Sequence, residues 1–279
     1  MLGLSQRQNE ILNIARATGR VVVDDLVRRF EVSAQTIRKD LNDLCDQRLL
    51  ARIHGGAIIA SGVENLAYEA RRFVAADEKK AIGIAAAALI PNGSSLFINI
   101  GTTTEEVASA LNDHEDLLVI TNNLNVAMML YRHPRIEVIV AGGTVRRGDG
   151  AVIGSTAINL IGQFKVDYAI IGASAIDETG ALLDFDYREV QAAQAIIANA
   201  RSVMLVADSS KLQRKAAVRI ADFSQIHTFV TDLPLPSGLQ ALCAQRGIQV
   251  VAAMPERAVD PDSAANSEDS AKNEAIHSR

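Results

Sequence analysis

Apolar positions near the start of the chain recur at helical spacing. Ile11, Leu12 and Ala15 form one stripe, preceded by Ser5 with Gln8 three residues later. That pairing predicts a capping box and a helix running to about Ala17, closed by Gly19. Asp24 is the expected cap of a short second helix whose Leu26, Val27 and Phe30 face inward, and Glu31-Val32 supply a tight turn. Ser33 caps a third helix, on which Ile37, Leu41 and Leu44 fall on the buried side. Gln35, Thr36, Arg38 and Lys39 point the other way, at the helix's N-terminal end. Two short helices joined by a brief turn form a helix-turn-helix, and that end of the second helix enters the major groove. Arg and Lys pair there with guanine, and Gln with adenine.

Residues 49–53 read as a strand, His54-Gly55-Gly56-Ala57 as a turn and Ile58-Ile59 as a returning strand, which makes the hairpin wing of a winged helix. Arg52, His54 and Gly55 sit where such a wing approaches the phosphate backbone and positions the protein without reading sequence. The plainer alternative is a small helical module that binds protein through a solvated polar face.

The pattern then changes. Residues 60–76 are polar and charged, with Tyr68, Arg71 and Arg72, and read as a linker able to pack as a short helix. Beyond them, short apolar runs at 95–100, 117–121, 136–141, 168–171, 202–207, 228–231 and 248–251 alternate with helical patterns at about 78–90, 104–111, 124–131, 156–163, 188–199 and 238–245. Continuous apolar strands separated by helices predict a mainly parallel α/β sheet covered on both faces, with ligands at the carboxyl ends of its strands. The expected organisation is a DNA-binding domain at 1–59, a linker at 60–76, a sensing domain at 77–252 and a disordered tail at 253–279, where large apolar residues nearly vanish.

The strand ends carry the candidate chemistry. The first runs into Gly101-Thr102-Thr103-Thr104 and a helix. There a glycine, unpaired helix N–H groups and hydroxyls form a phosphate cradle. Thr121-Asn122-Asn123, Gly142-Gly143 with Arg146, Gly172 and Lys211 end or follow later strands and converge on the same edge, which points to a phosphorylated ligand. Asp184, Asp186 and Glu189 precede the helix from about 188 and could accept hydrogen bonds from sugar or polyol hydroxyls. The competing reading is that Asp186 caps that helix and Glu189 favours its dipole.

Bulk properties narrow the choice little. Residues 1–60 hold nine Lys/Arg against seven Asp/Glu, a net of +2; the remainder holds 19 against 26, a net of −7, giving −5 in all. The basic charge matters by placement: Arg38, Lys39, Arg48 and Arg52 fall within 15 residues. The chain has no run of roughly 18 uncharged apolar residues, so no membrane span is expected. With no secretory segment evident and only Cys45 and Cys243 present, a cytoplasmic protein with two inert thiols and no metal site is expected.

Residues 9–57, above all Ser33-x-x-Thr36-Ile37-Arg38-Lys39-Asp40-Leu41 and His54-Gly55-Gly56-Ala57, resemble the N-terminal domain of DeoR-family bacterial repressors. Lys39 stands where the family more often has a second Arg, which keeps the charge and gives up bidentate geometry. Residues 75–252 resemble the same family's sensor domain, which is similar in fold to ribose-5-phosphate isomerase and related phosphosugar enzymes. The segments that carry this are Asn92-Gly93-Ser94 with Gly101-Thr102-Thr103, Thr121-Asn122-Asn123-Leu124-Asn125-Val126-Ala127, Ala141-Gly142-Gly143 and Phe185-Asp186-Tyr187-x-Glu189-Val190. The resemblance implies a homo-oligomeric repressor, dimer or tetramer, of a carbon-catabolic operon. It would bind double-stranded operator DNA, use no cofactor, and be released by a phosphorylated polyol or sugar, glycerol 3-phosphate being favoured. The residues themselves support only a small, phosphorylated, hydroxylated ligand.

The isomerase likeness makes an enzyme the rival reading. Where those enzymes carry an acidic pair in a Gly-Ala-Asp-Glu segment, this chain has Gly172-Ala173-Ser174-Ala175, and their Gly-rich lysine segment is replaced by Gly180-Ala181-Leu182-Leu183-Asp184. Groups able to hold phosphate survive while the acid-base pair does not, so binding without turnover is expected.

Overall fold

A computed structural model describes residues 4–254 apart from 19, 48, 54 and 60–67. The first part runs α1 (Gln6–Thr18), β1 (Arg20–Val22), α2 (Val23–Phe30), α3 (Ala34–Asp46), β2 (Leu50–Ile53) and β3 (Gly56–Ile59). The expected capping box forms: the Gln8 N–H donates to Ser5 Oγ at 3.2 Å, and the Ser5 N–H donates to Gln8 Oε1 at 2.9 Å. Gly19 lies outside the described residues, as does His54. Ile11, Leu12, Ala15, Leu26, Ile37, Leu41 and Leu44 close one core. Ser33 caps α3 by accepting from the Thr36 N–H, and Glu31 ends α2 in the left-handed region at φ 51°.

Two features differ from expectation. Asp24 does not cap α2. The helix starts earlier, with Val22 at the N-cap and no side-chain cap, so Asp24 lies inside the first turn, and the otherwise unpaired Val23 N–H donates to the Gly55 carbonyl at 2.9 Å. The wing is also part of a three-stranded sheet in which β1 pairs antiparallel with β3, and β3 with β2. The turn is therefore tighter than the expected 54–57, since Ile53 already pairs with Gly56.

The joining segment carries α4 (Tyr68–Phe73), and α5 (Ala76–Ala87) opens the larger domain. Between them Ala75 adopts a left-handed backbone at φ 51°. There follow β4 (Ser95–Ile98), α6 (Thr102–Ser109), β5 (Leu117–Thr121), α7 (Leu124–Leu130), β6 (Ile136–Val140), the ribbon β7 (Thr144–Val145) and β8 (Val152–Ile153), α8 (Ser155–Ile161), β9 (Val166–Ile171), β10 (Ala175–Ile176), β11 (Ala181–Asp184), α9 (Tyr187–Ala198), β12 (Ala200–Val206), β13 (Val218–Asp222), β14 (Thr228–Thr231), α10 (Ser237–Arg246) and β15 (Gln249–Ala252).

All seven strands expected from apolar runs enter one sheet, ordered β15-β14-β12-β9-β4-β5-β6, and every pairing in it is parallel. One apolar cluster, with Ile82, Val107 and Val126, covers one face of the sheet, and a second, with Ile161, Val190, Ile196 and Leu239, covers the other. The chain builds outward from β4 in one direction, then crosses to β9 and builds in the other. That reversal is the topological switch point, where the loops after neighbouring strands part and leave a crevice. The small antiparallel sheet β10-β11-β13 was not legible as strands and walls this crevice from one side. Residues 255–279 lie outside the described residues. Ala253, expected in the tail, is instead buried, its N–H donating to the Thr231 carbonyl at 2.7 Å, which extends the β15 edge.

Candidate DNA interface and effector cavity

On α3 the side chains of Gln35, Arg38 and Lys39 are exposed while Ile37 and Leu41 are buried, so one helix carries the expected two faces. Thr36 is half-buried, its Oγ1 2.9 Å from Ser33 Oγ, which ties both hydroxyls to the cap. Asp40 fixes the helix from behind: its carboxylate accepts from Arg7 Nε at 2.5 Å and from Gln8 Nε2 at 3.3 Å. Arg38 and Lys39 therefore stand on a helix anchored to α1. Gly55 is exposed at the wing tip with φ 78°, a backbone that favours glycine. Arg52 lies in β2, adjacent to that tip.

The second site is a crevice at the switch point. It is lined by Ile100, Gly101, Thr102, Thr103 and Thr104 after β4, Gly172, Ala173 and Ser174 after β9, Val206 at the end of β12, and Asp184, Glu189, Lys211 and Arg71. Gly101 stands at the N-cap of α6 at φ 145° and offers no side-chain cap. The first N–H groups of α6 have no intrahelical partner and carry the positive end of the helix dipole. Thr104 is different from its neighbours: its hydroxyl donates to the carbonyls of Asn99 and Gly101 at 2.7 and 2.8 Å, so it builds the turn.

Acidic and basic groups mix around the cavity: Arg71 acts on Glu189, and Asp184 on Arg214. Lys211, Lys79 and Arg214 interact with Asp208, whose Oδ2 is 3.7 Å from Lys211 Nζ, and Arg71 lies near those three cations. Burial holds the pKa of Lys211 below the usual lysine range, with Arg214 and Arg71 adding to it, and burial likewise lowers Lys79 to about 8. Burial would raise Asp208, but Lys211 and Lys79 outweigh it and keep it ionised. Burial raises Glu189 to about 7, helped by Asp184. Asp184 accepts from Ser174 Oγ at 2.9 Å and from the Phe185 N–H at 2.6 Å. Buried cations beside helix amides suit an anion, and the carboxylates among them suit hydroxyl donors.

With that geometry in place, similarity to known proteins becomes informative. Residues 7–63 match "DeoR-like helix-turn-helix domain", and residues 74–233 match "DeoR C terminal sensor domain". The chain belongs to the DeoR family. It is 44% identical over 246 residues to the glycerol-3-phosphate regulon repressor of Escherichia coli (strain K12), covering 88% of this chain and 98% of that one. It is 45% identical over 231 residues to the protein of the same name from Haemophilus influenzae, covering 82% and 90%. Among solved structures, ribose 5-phosphate isomerase A of Methanocaldococcus jannaschii overlays with a TM-score of 0.37 at 18% identity, over 50% of this chain and 55% of that one.

Not every residue expected to contact an effector reaches the cavity of this DeoR-family chain. Thr121, Asn122, Asn123, Gly142, Gly143, Arg146 and Asp186 are not among the lining residues. Thr121 Oγ1 donates to the Ile98 carbonyl at 2.6 Å and braces the strand end. Asn123 caps α7, and its Nδ2 donates to Glu105 Oε1 at 3.0 Å. Gly142 and Gly143 are exposed; a Cβ on Gly143 would lie 2.7 Å from the Ile153 carbonyl, so this glycine admits the β7–β8 ribbon. Arg146 is saturated by Asp149, Asp186 and Glu189, at 2.5, 2.9 and 2.7 Å. Burial opposes its charge, yet those bonds raise its pKa. Asp186 caps α9 through the Arg188 N–H, and its pKa, lowered to about 2, owes most to the Arg188 side chain.

Arg71, Lys79, Ser174, Asp208 and Arg214 were the residues missed. In the sequence Arg71 reads as part of a linker able to pack as a short helix, and Lys79 only as part of a helix over about 78–90. Their burial follows from packing of α4 and α5 that no local pattern encodes. Among the described residues there is no group of three or more His, Cys, Asp or Glu placed to hold a metal ion, and no helix long and apolar enough to cross a membrane.

Proposed function

We propose that this chain is a DNA-binding transcriptional repressor of a carbon-catabolic operon, released from its operator by sn-glycerol 3-phosphate. The observation that carries the reading is the crevice at the switch point, where the N-terminus of α6, buried cations and two carboxylates surround one small space. Relatives of 44% and 45% identity bear the name glycerol-3-phosphate regulon repressor, which supports that effector over a longer sugar phosphate. The phosphate lies against Thr102, Thr103 and Lys211, and Asp184 and Glu189 accept from the polyol hydroxyls. The exposed face of α3, with Gln35, Arg38 and Lys39, reads the operator. Paired winged helices of a homo-oligomer, dimer or tetramer, match the operator repeat.

Turnover is not part of this reading. In sequence, Gly172-Ala173-Ser174-Ala175 replaces the acidic Gly-Ala-Asp-Glu segment of the isomerases, and the Ser174 hydroxyl donates to Asp184. Effector and DNA oppose each other by one coupling free energy, which at a typical 1–3 kcal/mol loosens the operator about 5- to 150-fold.

The test is a thermal-shift panel containing sn-glycerol 3-phosphate, hexose phosphates and unphosphorylated glycerol, followed by fluorescence anisotropy on a duplex the protein selects from a random-sequence pool. A shift with sn-glycerol 3-phosphate that also releases the duplex supports the reading. Shifts confined to hexose phosphates assign a different effector, and no shift with any phosphorylated compound overturns it.

A further inference from the structure

All but one of the residues lining the effector cavity lie at position 100 or beyond; the exception is Arg71, on the short helix α4 that joins the two domains. Its side chain is only 15% exposed. Its Nε is buried with no hydrogen-bond partner, and Nη2 reaches Asp149 only at 3.5 Å. A guanidinium presents five donors in a planar fork that fits a phosphate bidentately, so a buried Arg with so few bonds is an unfilled anion contact. The surroundings agree. Arg71 adds to the positive charge that, after burial, depresses Lys79, Lys211 and Arg214, and Arg214 also has buried, unpartnered Nε and Nη2. An arriving anion relieves this excess of cations.

The same helix is fastened to both halves of the molecule. Tyr68, at its start, donates its hydroxyl to Glu105 Oε2 at 2.6 Å, on the helix whose N-terminus faces the cavity. Val74, just past its end, packs against the winged-helix core. Lys79 Nζ donates to the carbonyls of Arg71 and Val74, at 2.5 Å each. Whatever moves Arg71 therefore moves the segment on which the winged helix is mounted.

Resting on the effector reading given above, we propose that Arg71 is a direct ligand of the effector's anionic group, through which the metabolite pulls on the segment carrying the DNA-binding domain. The anion draws the guanidinium toward the amides of Thr102 and Thr103 and away from Asp149. Helix α4 follows, and the winged helix loses its operator-competent placement. Binding and signalling are then one contact, with no relay of residues between them.

The test uses the full chain with sn-glycerol 3-phosphate and inorganic phosphate as probes. Calorimetry on wild type, Arg71→Ala and Arg71→Lys gives affinity, and anisotropy on the selected duplex at saturating probe gives release. Arg71→Ala is expected to lose roughly tenfold or more in sn-glycerol 3-phosphate affinity, and Arg71→Lys less, since it keeps charge without the fork. Saturated Arg71→Ala is expected to release the duplex little, its coupling factor falling toward one. Wild-type affinity and wild-type release in Arg71→Ala overturn the proposal. Weakened affinity with full release at saturation also overturns it, because the contact would not transmit. Should Arg71→Ala not fold, Arg71→Lys decides by the same two readings. Failure of the unaltered chain to bind either probe strikes the effector reading itself, and is visible before any variant is made.

Discussion

The Lys79 ammonium donates to the Val74 carbonyl oxygen at 2.5 Å, so a side chain of the sensor's first helix closes the end of the segment leading to the winged helix. Lys79 is 2% exposed, and burial, reinforced by Lys211, lowers its pKa from 10.5 to about 8. Between those two values the unfolded chain holds a proton that the folded chain has shed. The contribution of this group to stability therefore rises as pH climbs from about 8 to 10.5. Lys79→Met should abolish that rise and, by leaving two carbonyls unpaired, lower stability by about 1–3 kcal/mol at neutral pH. Denaturant melts at successive pH values decide it; an unchanged slope above pH 8 would contradict the burial of this lysine.

Glu189 is expected to act with the opposite sign. Its folded pKa, raised by burial and Asp184 from 4.5 to about 7, means that the folded chain keeps a proton the unfolded chain has lost. The stability it supplies is present below about 4.5 and is lost as pH rises through about 7. Glu189→Gln should flatten the stability profile across that window. The same melts, taken from pH 4.5 to 7.5, provide the measurement.

Arg38→Ala should weaken binding to the selected duplex by about 1–3 kcal/mol and relax preference at one base position, while leaving sn-glycerol 3-phosphate affinity intact. Arg38 is exposed on a helix whose buried face is untouched by the change, so the fold should persist. Loss of DNA and metabolite binding together would indicate a folding defect instead.

Gly172 lines the cavity, and a Cβ there would meet only the Val206 carbonyl at 3.8 Å and Thr104 Cγ2 at 3.9 Å, ordinary contacts. Gly172→Leu should therefore fold, fill the cavity and remove both the thermal shift with sn-glycerol 3-phosphate and release of the duplex. Persistent release in this variant would place the effector elsewhere.

Much of the architecture was readable because its signals are local. The Ser5–Gln8 box, the Ser33 cap and the Ile37, Leu41, Leu44 stripe each depend on residues within a few positions of one another. The five inner strands of the parallel sheet are largely buried and announce themselves as apolar runs; the edge strands β6 and β15 carry such runs too, although most of their residues are exposed or half-buried. What escaped is set by long-range contact. Asp24 looks like a cap, but the helix starts two residues earlier, at Val22, where the Gly55 carbonyl, more than thirty residues away, accepts from the Val23 N–H. Gly56 reads as half of a turn, yet its need for glycine comes from β1: a Cβ would stand 2.0 Å from the Val21 carbonyl.

The candidate site divides the same way. Gly101-Thr102-Thr103 were legible because strand, glycine and helix follow in order, and Gly172 because it directly follows an apolar strand. Arg146 carries the right charge at the right edge, but three carboxylates consume it. Arg71 is distant in sequence from every other residue of the cavity, so only the folded chain reveals its place there.

Ala75 turns the chain between α4 and α5 with a single left-handed residue at φ 51°. Only Val74 and Ala75 separate α4 from α5, so there is little slack for sliding, and any displacement of α4 against α5 must be spent as rotation about the torsions of those two residues.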